Sequence, residues 1–178
     1  MKRLRWIPGG VTAPRGIVAS GTWSGIKRNR RFDLALIVSE TPATVAGMLT
    51  TNRVKAAPVL LAARALRRGW ARAVLVNSGC ANCMTGAAGA RDAQALLDAA
   101  ARLLGIAPRE ILPASTGIIG RRLPVPRMQR VIPSLVGRLS RSGHRRAAQG
   151  ILTTDVKVKE AAVAERIGGR LCIVGGMA

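Results

Sequence analysis

Short, continuous aliphatic runs alternate along the sequence with longer segments whose aliphatic residues recur at helical spacing. Residues 32–39 and 71–77 are rich in aliphatic side chains and lie between polar or glycine positions, which predicts two largely buried strands. Residues 45–50 predict a third strand from a weaker pattern. Alternation of this kind is typical of a mixed α/β domain.

The predicted helices differ in how clearly their apolar residues are spaced. In residues 90–104, alanines and leucines recur on one stripe and Gly105 follows as a stop, which predicts the clearest helix. Further helices are predicted over residues 58–68, within 125–139 and near 142–152.

Two further local patterns concern charge and chain reversal. Asp92 and Asp98 lie near arginines on the polar side of the clearest helix, which predicts a solvated charged face. Residues 160–167 and 170–174 flank a Gly-Gly dipeptide, which predicts a β-hairpin. No internal repeat or linker divides the chain, so residues 1–178 are interpreted as a single domain.

The charge balance raises the question of nucleic acid. The chain has 29 Lys and Arg against 8 Asp and Glu, a formal net charge of +21, and such an excess favours polyanionic partners. The basic residues are scattered in pairs, however, and the aromatic residues that could stack on bases are only Trp6, Trp23, Trp70 and Phe32. A solvated basic surface is therefore favoured, with a basic nucleic-acid-binding module as the alternative.

The sequence has neither a membrane-spanning pattern nor a secretion signal. No window approaches the roughly 18 uninterrupted apolar residues of a membrane helix, and the basic start at Lys2 and Arg3 lacks the apolar core of a signal peptide. Cys80, Cys83 and Cys172 cannot all pair within one chain. These features predict a cytoplasmic protein without a membrane segment.

The metal-binding and triad patterns are incomplete. Cys80 and Cys83 have the spacing of half a zinc site or of a redox pair, but no second pair of ligands accompanies them. His144, the only histidine, lies in a basic segment interpreted as an exposed turn, and no nucleophile elbow is present. We therefore expect no metal site and no Ser-His-Asp triad.

Three segments that carry hydroxyl or amide groups are predicted as turns after buried elements. They are Asn77-Ser78-Gly79, residues 114–117 and residues 152–155. Such turns can direct N–H and hydroxyl groups into a pocket. Because serine, threonine and glycine are also ordinary turn residues, the pattern alone does not identify a chemistry.

A series of sequence motifs gives information on function that the composition does not. They are VTAPRG at 11–16, DLALIVSETPATVAGMLTTNRVKAAPV at 33–59, VNSGCAN at 76–82, CMTG at 83–86, LPASTGIIG at 112–120, AQGILTTD at 148–155, KEAAV at 159–163, and IGG and VGGMA near the end. In order and spacing they resemble the ornithine acetyltransferase (glutamate N-acetyltransferase) family of arginine biosynthesis. The resemblance spans nearly the whole chain.

This resemblance implies a mixed α/β layered sandwich with helices outside stacked β-sheets, of which the chain is the N-terminal, α-chain portion. It implies ping-pong transfer of acetyl from N-acetylornithine, and in some members from acetyl-CoA, to glutamate, without a cofactor. Family precursors cleave themselves before an internal threonine, whose free α-amine then serves as the base for its own hydroxyl. The implied partner is the β chain of the same precursor, in an α2β2 heterotetramer.

Carried over by position, the resemblance assigns Thr116 and Gly117 to an oxyanion hole. It assigns a substrate contact to Thr153, chosen over Thr154 by spacing to the chain end. Asn77, Ser78 and Gly79 are interpreted as shaping a turn rather than as catalytic.

The sequence departs from the family pattern in two places. Cys80 stands where the family has the first asparagine of an Asn-Ala-Asn segment, and Cys83 follows shortly after. In the family, GGMA precedes a substrate-binding lysine, a glycine-rich stretch and the nucleophilic threonine, which do not occur before Ala178. We therefore expect a shortened α portion that gives no turnover alone. An inactive truncation product is the alternative.

Overall fold

A computed structural model of the chain describes residues 4–178, so Lys2 and Arg3 lie outside the described part. The described strands are β1 (Arg5–Trp6), β2 (Ile17–Thr22), β3 (Leu34–Thr44), β4 (Trp70–Cys80), β5 (Ile111–Ile118), β6 (Glu160–Ile167) and β7 (Arg170–Met177). The α-helices are α1 (Ala57–Leu66), α2 (Gly86–Leu104), α3 (Val125–Gly137) and α4 (His144–Ile151). The predicted mixed α/β class is confirmed.

The larger sheet has the strand order β2-β3-β4-β5. Its neighbours are antiparallel except for β4 and β5, which run parallel. The first three residues of β3, Leu34, Ala35 and Leu36, are completely buried, because elements cover both faces of this central strand. The strands predicted over residues 32–39 and 71–77 are thus present, and the second is longer at both ends.

Helices α2 and α3 cover one face of this sheet. The core there joins Leu34, Leu36 and Leu75 of the strands with Leu96, Leu97 and Ala100 of α2 and with Met128, Ile132 and Leu135 of α3. Helix α2 starts at Gly86, earlier than predicted, and ends before Gly105, whose φ of +66° suits the left-handed cap.

Helix α4 packs on the opposite face through small residues. Ala147 of α4 meets Ala19 of β2 and Ala35 of β3, all fully buried. Met177 of β7 packs against this cluster, which brings the second sheet, of order β1-β6-β7, to the same side. The predicted hairpin is present, and its second strand extends to Met177.

Three local predictions are wrong. Residues 45–50 form no strand, because β3 ends at Thr44 opposite Trp70, where β4 begins, and no partner strand continues. Asp92 is buried rather than solvated, and both its carboxylate oxygens accept from Arg122, at 2.8 and 2.6 Å. His144 is partly buried at the start of α4, with Nδ1 2.8 Å from Glu160 Oε2.

The hydrogen bonds from Arg122 to Asp92, reinforced by the attraction between their charges, raise the pKa of Arg122 above its ordinary value.

None of the helices between residues 4 and 178 combines the length and the apolar character needed to cross a bilayer.

Candidate functional site

The parallel strands β4 and β5 end side by side at one edge of the larger sheet. Ser78 is in register with Thr116, and Gly79 with Gly117. The turns predicted at residues 77–79 and 114–117 are therefore wrong, since both segments lie within paired strands. Pairing with the neighbouring strand overrides the turn preference of serine and glycine.

The two facing glycines allow the strands to approach closely at this edge. Gly79 and Gly117 have φ values of +98° and +131°. A Cβ on Gly117 would lie 2.6 Å from Cys80 N and would overlap the main chain of Gly79. A side chain at position 117 would therefore force the strand ends apart.

Buried and partly buried hydrogen bonds hold the ends of these two strands. Ser115 Oγ donates to Asn77 Oδ1 at 2.6 Å, and Asn77 Nδ2 donates to the carbonyl of Cys80 at 2.8 Å. Ser78 Oγ donates to the carbonyl of Gly150 in α4 at 2.6 Å. Asn77 and Ser78 are thus buried groups that fix the main chain of the site.

The Cys80 thiol donates to the carbonyl of Arg121 at 3.1 Å. Cys80, Cys83 and Cys172 are free thiols. Within residues 4–178, His, Cys, Asp and Glu side chains nowhere gather in a group of three that could hold a metal ion.

The Ser78 contact predicts a measurable loss of stability. Ser78→Ala is expected to reduce the free energy of unfolding by about 1–3 kcal/mol, because the Gly150 carbonyl would lose its buried donor. The measurement is urea-induced unfolding of the whole chain. Ser134→Ala, at an exposed position on α3, is the matched control, with an expected effect within about 0.5 kcal/mol. Equal effects of the two substitutions would contradict the prediction.

A loop before β3 approaches the same edge and is organised by one buried carboxylate. Asp33 is fully buried. Its Oδ1 accepts from the main-chain N and the Oγ of Ser24, at 2.6 and 2.7 Å. Its Oδ2 accepts from the main-chain N of Ile26 and Lys27, at 2.8 and 2.9 Å. Four donors therefore fix the loop around Asp33.

These elements enclose an open cavity of about 840 Å³. Its lining consists of Ile26, Lys27, Arg28 and Asn29 from the loop, Gly79 from β4, Thr116, Gly117 and Ile118 from β5, Arg121, and Thr153 and Thr154 after α4. The volume falls in the range of small-molecule sites.

The charged residues that line the cavity are all basic. They are Lys27, Arg28 and Arg121. Burial lowers the pKa of Lys27 below its ordinary value, an effect that the carboxylate of Asp33 opposes and that the charge of Arg31 reinforces. The walls thus carry positive charge suited to an anionic group.

The structure brings Thr116, Gly117 and Thr153 into this one cavity, although they lie on different segments. Thr154 lines it as well, so the choice between the two threonines stays a prediction. Sequence reasoning missed Lys27, Arg28 and Arg121, which it assigned to a solvated basic surface. The one local signal for the loop that carries Lys27 and Arg28 was Asp33, a charged residue inside the aliphatic segment 32–39.

A sequence model of the ArgJ family matches residues 18–178 of the chain. The arginine biosynthesis bifunctional protein ArgJ of Gloeobacter violaceus is 46% identical over 179 residues, which cover 100% of this chain and 44% of that protein. ArgJ of Symbiobacterium thermophilum is 45% identical, covering 98% of this chain and 44% of its own length. The chain thus spans less than half the length of these curated relatives.

Two solved structures share the fold. Ornithine acetyltransferase of Mycobacterium tuberculosis, solved in complex with ornithine, superposes with a TM-score of 0.93 at 39% identity, covering 99% of this chain and 94% of that chain. ArgJ of Bacillus halodurans superposes with a TM-score of 0.92 at 33% identity, covering 99% and 93%. Sequence and structure agree along nearly the whole chain, which therefore belongs to the ArgJ family.

Proposed function

We propose that this chain forms the oxyanion-stabilising wall and part of the substrate site of an acetyltransferase in arginine biosynthesis. The observation that carries the proposal is the placement of Thr116 and Gly117 near the carboxyl end of β5, in a cavity that Thr153 also lines. The reaction is transfer of acetyl from N-acetylornithine to glutamate.

The attacking threonine is supplied by the remainder of the family-length protein. The coverage figures support a division into two chains. The chain spans 44% of the Gloeobacter relative but 94% of the solved chain from M. tuberculosis. That solved chain is therefore close to this chain in length. The proposed partner is the remaining β chain, in an α2β2 assembly in the cytoplasm.

The first half-reaction forms an ester. The threonine hydroxyl attacks the acetyl carbonyl of N-acetylornithine and gives up its proton to the α-amine. The carbonyl carbon becomes tetrahedral, and its oxygen becomes an oxyanion that accepts from the Thr116 hydroxyl and the Gly117 N–H. The C–N bond then breaks, and ornithine leaves with the proton on its amine.

The second half-reaction reverses these steps with a different amine. The glutamate amine attacks the acyl-threonine, the same wall holds the second oxyanion, and the C–O bond breaks. The threonine hydroxyl regains its proton, and N-acetylglutamate leaves. No cofactor takes part.

The basic lining supports this chemistry. Lys27, Arg28 and Arg121 give positive charge to the cavity that Thr116 and Gly117 also line. Glutamate and N-acetylornithine both have carboxylates, and a positive cavity attracts such anions.

Substitution of the wall hydroxyl tests the proposal. The chain is co-expressed with the remaining carboxyl-terminal part of the Gloeobacter relative, and acetyl transfer from N-acetylornithine to glutamate is measured. Thr116→Val is expected to lower kcat by about 10²–10³-fold, because it removes a donor to the oxyanion without changing the side-chain shape.

Thr41→Val is the control, since Thr41 is exposed on β3 and lies outside the cavity. It should leave kcat unchanged. Full activity in Thr116→Val, or absence of transfer by the unsubstituted assembly, would overturn the proposal.

A further inference from the structure

Lys27 joins two segments of the cavity wall through a single ammonium group. Its Nζ donates to the carbonyl of Phe32 at 2.8 Å and to the carbonyl of Leu152 at 2.5 Å. Phe32 belongs to the same loop as Lys27, whereas Leu152 directly precedes Thr153. The ammonium therefore links the loop before β3 to the turn after α4.

The main chain of Lys27 is itself held at both ends of the residue. Its N–H donates to Asp33 Oδ2 at 2.9 Å, and its carbonyl accepts from Trp23 Nε1 at 2.8 Å. The absence of a side chain at Gly79 leaves room for the stem, since a Cβ there would lie 3.3 Å from Lys27 Cγ. The position of the Lys27 main chain and the direction of its side chain are thus both constrained.

The turn that carries Thr153 and Thr154 has few other attachments. Both threonines are exposed. Among the described residues, neither makes a hydrogen bond to another element. Leu152 N is 3.4 Å from the carbonyl of Gln149, a long contact within the end of α4. In the part of the chain that the structure describes, the bond from Lys27 to Leu152 is therefore the polar contact that joins this turn to the loop before β3.

We propose that Lys27 is a positioning residue, which holds the Thr153 turn in place in the cavity that Thr116 and Gly117 also line. This inference rests on the proposed function for its effect on catalysis, but its structural part stands independently. A lysine is required because its compact ammonium can donate in several directions to carbonyls on two segments, whereas the guanidinium of arginine is planar and larger.

The test uses three variants of the whole chain. Lys27→Met removes the ammonium but keeps an unbranched stem, and Lys27→Arg keeps the charge. Lys157→Met makes the same charge change at an exposed residue outside the cavity. Backbone ¹⁵N relaxation is measured for residues 152–155, with the amides of β4 and β5 as internal references.

In the unsubstituted chain and in Lys157→Met, the order parameters of Thr153 and Thr154 should be near the rigid value of about 0.85. In Lys27→Met and Lys27→Arg they should fall below about 0.6, while those of β4 and β5 stay unchanged. Unaltered order at residues 153 and 154 in Lys27→Met would overturn the proposal. An equal loss of order in β4 and β5 would also overturn it, because it would indicate general unfolding.

The catalytic part is tested in the assembly with the carboxyl-terminal part of the Gloeobacter relative. Lys27→Met should raise the KM for N-acetylornithine about tenfold or more with a smaller change in kcat, because the substrate-contacting turn is no longer held in place. An unchanged KM would overturn this part. If the unsubstituted assembly gives no transfer while the turn still loses order in Lys27→Met, the proposed function fails and the positioning role of Lys27 stands.

Discussion

Gly117→Ala is expected to reduce the free energy of unfolding by about 3–5 kcal/mol. Two costs add. An alanine at a φ of +131° is strained, and its Cβ would overlap the main chain of Gly79 and lie 2.6 Å from Cys80 N. Since these are main-chain atoms of a paired strand, rotation of a side chain cannot relieve the overlap. Urea-induced unfolding of the chain measures the effect.

Gly120→Ala separates the two costs. Gly120 also has a positive φ, +77°, but a Cβ there would meet nothing within 4 Å. The expected loss is the conformational cost alone, about 1–2 kcal/mol. If both substitutions have the same effect, then β4 and β5 do not approach as closely at Gly117 as the structure has them.

Asp33→Ala is expected to cost about 4–5 kcal/mol, the upper end for a single substitution. The Asp33 carboxylate accepts from the main-chain N of Ser24, Ile26 and Lys27 and from the Ser24 hydroxyl. Alanine would leave these donors without an acceptor, and each buried unpaired donor costs about 1–3 kcal/mol. The loss is not fully additive, because the loop would move and let water reach part of it. Urea-induced unfolding again provides the measurement.

Asp98→Ala is the matched control, since it removes the same functional group from the surface of α2. Among residues 4–178, Asp98 accepts only from Gln94 Nε2, at 2.8 Å within one helix, so its expected cost is below about 1 kcal/mol. A cost below about 1.5 kcal/mol for Asp33→Ala would mean that this carboxylate does not organise the loop. Asp33→Ala should also free the main chain of Lys27 from its bond to the carboxylate and so increase backbone motion at Thr153.

Gly117 shows why part of the site could not be predicted from the sequence. The resemblance assigns Gly117 to an oxyanion hole, and the local sequence predicts that its segment is a turn. The prediction of a turn was wrong because a local composition of serine, threonine and glycine carries no information about the neighbouring strand. The pairing of Gly117 with Gly79 joins residues 38 positions apart in sequence, the same separation as the bond between Asn77 and Ser115.

Elements whose signal is local were predicted well. The stripe of α2 repeats every three or four residues, and the aliphatic run of β3 is continuous, so both can be recognised within one short window. Residues 45–50 were predicted wrongly for the complementary reason. A strand needs a neighbour, and β4 begins at Trp70, opposite the end of β3.

The positions and partners of charged side chains were the least predictable features of the structure. Asp92 was expected on a solvated face, yet its partner is Arg122, 30 residues later. Lys27 was counted only in the net charge of +21. Nothing near it in sequence indicates that its ammonium donates to a carbonyl 125 residues away.

The amino-acid sequence by itself determined the α/β class, most of the helices and strands, and, through its motifs, the residues that line one wall of the cavity. These depend on periodicity and on short segments that can be read in isolation. Tertiary structure alone decided that Lys27, Arg28 and Arg121 line the same cavity as Thr116 and that Asp33 organises the loop before β3. Hydrogen bonding and burial depend on distances in space, and only the folded chain brings such remote segments together.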